Sequence, residues 1–120
     1  MVIIDCQKSD CIFVLKKRLR YFLKERAALT VVCPGTDRWT GDCLGPLVGT
    51  GLEKKGLSNI RVFGTLEKPL RKEEVHEAVR KARMREGAVI IVDSALGNSE
   101  DLYKIYMSDE EIVLGRAVNK

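Results

Sequence analysis

"LTVVCPGTDRWTGDCLGP", residues 29–46, decides how the chain folds. Its first five residues are apolar or β-branched, which suits a short strand buried on both faces. The stretch from 34 to 46 then holds three glycines, two aspartates, an arginine and a tryptophan. A plain strand-to-helix connection needs only about two to six residues of ordinary turn chemistry. This one is built to hold something. Pro46 lacks an N–H and fits only the first turn of a helix. The next helix therefore begins near residues 42–44, with the Asp42 carboxylate at its N-terminus. The glycines at 35, 41 and 45 permit tight turns and close approach of the backbone.

Outward from this stretch, helix and strand alternate. Residues 9–28 predict a helix with Ile12, Leu15, Leu19, Phe22 and Leu23 at helical spacing and Lys16, Lys17, Arg20 and Lys24 on the other face. Residues 43–55 predict the next helix, closed by Gly56. "NIRVFG" (59–64) is a second strand, and residues 70–86 a charged helix with Val75, Ala78, Val79 and Ala82 turned inward. "AVIIVD" (88–93) is a third strand and the most apolar stretch of the chain. Residues 102–107 and 111–118 are strand-like, and Ser108 and Asp109 between them predict a hairpin.

This alternation argues for an α/β layered fold with a mainly parallel sheet and right-handed crossovers. The simplest order sets 29–33 between 59–64 and 88–93. The crevice where the chain reverses direction, at the carboxyl ends of 29–33 and 88–93, is where open α/β sheets bind ligands. The length of 120 residues suits one domain, 1–120.

Composition narrows the function. The net charge of +4 is mild and distributed along helical segments. It reads as a solvated surface, with no nucleic-acid partner. No apolar run reaches membrane-spanning length and the N-terminus lacks the pattern of a signal peptide. The expectation is a cytoplasmic protein with no membrane partner. Cys6, Cys11, Cys33 and Cys43 suit free thiols, and their spacing matches no zinc pattern. Cys33 reads as a small hydrophobe ending a buried strand. Cys43 beside the loop is set aside as a nucleophile, because the chain's single histidine, His76, lies far along on a helix as a surface residue.

Two acidic residues fall at the crevice: Asp42 at the helix start and Asp93 at the end of "AVIIVD". Carboxylates sharing a desolvated site do not both ionise, and such a pair splits into an acid and a base that activate water against a peptide carbonyl. The plainer alternatives are that Asp42 caps its helix and that Asp93 bonds its own turn. Asp37 and Arg38 read equally as a surface ion pair, and Trp39 as a lid on the core. A phosphate site is disfavoured: the loop is neither GxGxxG nor a P-loop, and Asp42 puts negative charge where a phosphate would sit.

"GTDRWTGDCLGPLVG" (35–49), "VFGTLEKP" (62–69) and "VIIVDSALG" (89–97) resemble the spore protease YyaC family of spore-forming bacteria. That family is similar in turn to the germination protease and the hydrogenase maturation endopeptidases. The resemblance covers roughly residues 25–98. It implies a three-layer α/β/α sandwich, phosphorylase/hydrolase-like, and an aspartic-type endopeptidase acting on a small sporulation-related protein. It assigns the catalytic pair to Asp42 in "GDCLGP" and Asp93 in "VDSALG". Gly35, Thr36, Asp37, Arg38 and Gly41 would line the substrate cleft, with Arg38 gripping a substrate carboxylate. The maturation endopeptidases add a histidine to hold nickel. None follows 88–93 here, so neither a metal nor another cofactor is expected. Longer members carry a further loop and helix, so the C-terminal part reads as shortened. That raises two further expectations: a homodimer covering the open sheet flank, and, as the alternative function, an inactive binding module on the peptidase fold.

Overall fold

A computed structural model describes residues 1–24 and 26–109. They form two compact units, one of residues 1–24 with 96–109 and one of residues 26–95.

The second unit is an α/β sandwich. Its strands are β2 (Leu29–Val32), β3 (Ile60–Phe63) and β4 (Ala88–Ile91), and its helices α2 (Leu44–Lys54) and α3 (Lys72–Arg83). The sheet is parallel with order β3-β2-β4, as the alternation predicts. β2 is central and takes the strongest burial, with Val31, Val32 and the following Cys33 closed off from solvent. Val32, Val75 and Ala78 form the core on one face, with Phe63, Val79, Val89 and Ile91 packed around them. This is the α3 face, and all four residues read as inward on that helix contribute to it or to its edge. α2 covers the opposite face, where Gly49 comes against Gly64 and the Val62 side chain. Side chains alternate along a strand, so Val62 and Phe63 serve the two different layers. Helix, sheet and helix make three layers.

The helices are shorter than read, because their ends are decided by capping. α3 begins after Arg71, whose backbone N–H donates to the Glu74 carboxylate at 2.9 Å. Glu73 and Glu74 in its first turn and Arg80, Lys81 and Arg83 in its last match the helix dipole. α2 begins at Leu44 after Cys43, and Pro46 falls in its first turn, where no N–H is needed.

The first unit holds β1 (Val2–Asp5), α1 (Cys11–Leu23) and β5 (Lys104–Met107). Here the structure adds a strand and corrects the reading of α1. β5 pairs antiparallel with β1, in register from Val2 opposite Met107 to Asp5 opposite Lys104. The segment predicted to pair with it, 111–118, lies outside the described residues. β1, a short β-branched run, was not predicted, and its partner lies at the other end of the chain. α1 buries none of its residues fully, and Ile12 and Phe22, read as inward, are exposed.

Candidate functional site

The site residues gather at the carboxyl ends of β2 and β4. Beyond β2 the chain keeps to the sheet for two more residues. The Cys33 N–H donates to the Phe63 carbonyl at 2.7 Å, and Pro34 bridges to Leu70. Gly35 then turns sharply with φ of 130°. A Cβ there would collide with the Asp42 carbonyl oxygen and approach Pro46 Cδ at 3.1 Å. Glycine is required by both conformation and space.

The loop folds back on itself around Asp42. The Thr36 N–H donates to the Asp42 carbonyl at 3.0 Å, and the Asp42 N–H donates to the Trp39 carbonyl at 2.9 Å. Thr40–Asp42 form one 3-10 turn, and the Cys43 thiol donates to the Thr40 carbonyl at 3.1 Å. Asp42 is 5% exposed, the most enclosed acidic residue among those described. The helix cap is Cys43, not Asp42, so the capping reading of this aspartate is not what the local geometry supports.

Gly45 brings this loop to the strand ends. A Cβ on it would run into the Pro34 carbonyl oxygen, with the Cys33 carbonyl carbon at 3.0 Å and the Val92 carbonyl oxygen at 3.1 Å. The start of α2 is thus seated on backbone from both strands. Val92 extends the β2–β4 pairing, its N–H donating to the Val32 carbonyl at 2.9 Å. Asp93, the next residue, is half-buried. The segments that carry the two aspartates therefore meet at the carboxyl ends of β2 and β4.

The remaining predicted residues divide. Gly35 and Thr36 are half-buried and bonded into the turn around Asp42. Asp37, Arg38 and Gly41 are exposed. The Arg38 N–H donates to Thr36 Oγ1 at 3.3 Å, while its side chain does not pair with Asp37 as the surface-pair reading supposed. Trp39 is not a lid on the core: it is 51% exposed, because it stands in extended backbone at the mouth of the 3-10 turn. His76 lies exposed on α3. Among the described residues no three His, Cys, Asp or Glu side chains converge as a metal site would require.

One element of the site escaped the sequence reading. "TLEKP" (65–69) looked like a plain connection, yet it leads into Leu70, whose carbonyl accepts the Gly35 N–H at 2.9 Å. Thr65 is buried, its hydroxyl accepting the Lys68 N–H at 2.9 Å, and Thr50 Oγ1 on α2 accepts the Leu66 N–H at 2.9 Å. A threonine directly after a strand-ending glycine was the available signal.

Cys33 beneath the loop is a structural thiol. Burial pushes its pKa up from 9.0 to about 11. The folded state holds a proton that the unfolded state releases sooner. The contribution is complete below pH 9 and is lost as the pH rises toward about 11. Two results are expected. Native protein withholds Cys33 from an aromatic disulfide reagent until it is denatured, while the exposed Cys6 reacts at once. The melting temperature also falls across that alkaline interval more steeply in the wild type than in Cys33→Ala.

Comparison with known proteins adds a family. The model described as "Protein of unknown function (DUF1256)" matches residues 3–120. The chain is 35% identical over 94 residues to "Uncharacterized protein YyaC" of Bacillus subtilis (strain 168). The match covers 77% of this chain and 46% of that relative, so the chain spans about half of the relative's length. No solved structure matches. No helix among the described residues is long and apolar enough to cross a membrane.

Proposed function

The chain belongs to the DUF1256 family, and from that premise we propose that it is an aspartic-type peptidase of the germination-protease kind, acting through Asp42 and Asp93 on a peptide bond in a small sporulation-related protein. One observation carries the reading: Gly45 seats the Asp42 loop on the Pro34 and Val92 carbonyls, immediately before Asp93. In the proposed reaction the pair enters as one carboxylate and one carboxylic acid. The carboxylate takes a proton from a water held between them, and the water oxygen bonds to the peptide carbonyl carbon. The acid gives its proton to the carbonyl oxygen. The tetrahedral diol then breaks its C–N bond: the newly formed acid gives its proton to the leaving nitrogen and the carboxylate takes one hydroxyl proton, which restores the pair to one acid and one carboxylate. Arg38, exposed on the same loop, is the cation available to a substrate carboxylate.

The near-complete enclosure of Asp42 favours a second reading, a binding module that keeps the loop for shape and cleaves nothing. Mass spectrometry of a mixed peptide library incubated with the full chain separates the two. Discrete products that persist in chelator are expected of the peptidase. A library left intact, alongside selective retention of some peptides on the immobilised chain, overturns it in favour of the module.

A further inference from the structure

We propose that the outward face of α1 docks on an anionic lipid surface. From Cys11 to Lys24 the chain carries Lys16, Lys17, Arg18, Arg20 and Lys24 and no acidic residue. At about 100° per residue, Phe13, Lys16, Lys17, Arg20, Tyr21 and Lys24 share one side of the helix. The half-buried residues Cys11, Val14, Leu15, Leu19 and Leu23 occupy the other. Phe13 is 67% and Tyr21 69% exposed. The Lys24 ammonium stands 4.6 Å from the centre of the Tyr21 ring.

This face does not stabilise the isolated helix. Lys16, Arg20 and Lys24 follow one another at i, i+4 spacing, where like charges repel and an acid would have attracted. Large apolar groups set among them gain nothing from water. The arrangement makes sense against a partner that is negative and also admits apolar side chains. A second copy of the same face is excluded by its charge. A nucleic acid is the poorer fit, because residues 11–24 include no Ser, Thr, Asn or Gln to bond bases or phosphates beside the cations. A bilayer boundary takes both components: cations at the headgroups, Phe13 and the Tyr21 ring below them. At 13 residues α1 is too short to span and would lie in the plane of the surface. The chain's net charge of +4 conceals this, since the acids that offset these cations lie elsewhere.

The inference stands apart from the peptidase reading, and its test needs no cleavage. The full chain is sedimented with vesicles of phosphatidylcholine alone and of equal parts phosphatidylcholine and phosphatidylglycerol. It is expected to go down with the anionic vesicles only, and to be released as salt is raised. Each exposed cation removed should weaken binding roughly fivefold, so Lys16→Ala/Arg20→Ala together should lose roughly 25-fold. Phe13→Ser should weaken binding while keeping the salt dependence. Alanine favours the helix, and circular dichroism checks that these surface variants remain folded. Three results overturn the proposal: no binding to anionic vesicles, unchanged binding by the double variant, or binding to polyadenylate RNA with vesicles ignored.

Discussion

Asp42→Asn and Asp93→Asn are each expected to reduce peptide cleavage by about a thousandfold or more, while the folded state survives. Asparagine keeps the shape of the side chain and removes its capacity to exchange a proton. Asp42 is enclosed, so its replacement by a neutral isostere relieves desolvation and is not expected to lower the melting temperature. Because the two groups act as one unit, the double variant should be no slower than the worse single variant. The measurement is the cleavage rate on whichever library peptide the wild type cuts, with thermal melts run in parallel. Wild-type rates in either variant sink the dyad. Loss of folding in Asp42→Asn would instead make this aspartate a structural support of the loop.

Gly45→Ala is expected to be among the damaging single-methyl additions to the chain, and the one that bears directly on the site. The added carbon meets backbone on three sides, from Pro34, Cys33 and Val92. None can retreat cheaply: Cys33 and Val92 are tied to neighbouring strands by hydrogen bonds of 2.7 and 2.9 Å. Overpacking of this kind costs about 3 kcal/mol or more, which for a domain of this size lowers the melting temperature by roughly 10 °C. Helix α2 must also shift off the strand ends, carrying the Asp42 loop away from Asp93, so cleavage should fall with stability. Gly51→Ala in the same helix is the control. Nothing lies within 4 Å of the methyl group it adds, and the gain in helix propensity stabilises by up to about 1 kcal/mol. Opposite signs from two glycines of one helix, read by denaturant unfolding, would establish the seating at Gly45. Equal effects would refute it.

Much of the second unit was legible because its signals are local and mutually consistent. The β-branched run at 29–32, the first-turn proline at 46 and the apolar spacing of Val75, Ala78, Val79 and Ala82 each determine a neighbouring stretch of backbone. Together with right-handed crossovers they leave β3-β2-β4 as the simple order. Of the candidate site, the positions of both aspartates beside the ends of β2 and β4 were legible in this way, and their naming as a pair came from family resemblance. Thr65 and the Leu70 carbonyl were not, since their role depends on a turn that closes across the sheet.

The first unit shows the limit. Residues 102–107 were readable as a strand, but strand character does not name a partner. The partner the structure describes, β1, lies roughly a hundred residues away. In α1 the apolar spacing was real, yet periodicity says which side of a helix is apolar and not whether anything covers it. By itself, then, the sequence determined the elements of the second unit, their parallel order, and the placement of Asp42 before a helix and Asp93 after a strand, because these follow from steric and hydrophobic rules acting within a few turns of chain. Only the tertiary structure decided the β1–β5 pairing, the enclosure of Asp42, the contact of Gly45 with two strands and the exposure of Phe13 and Tyr21. Each of those depends on groups distant in sequence competing for the same space.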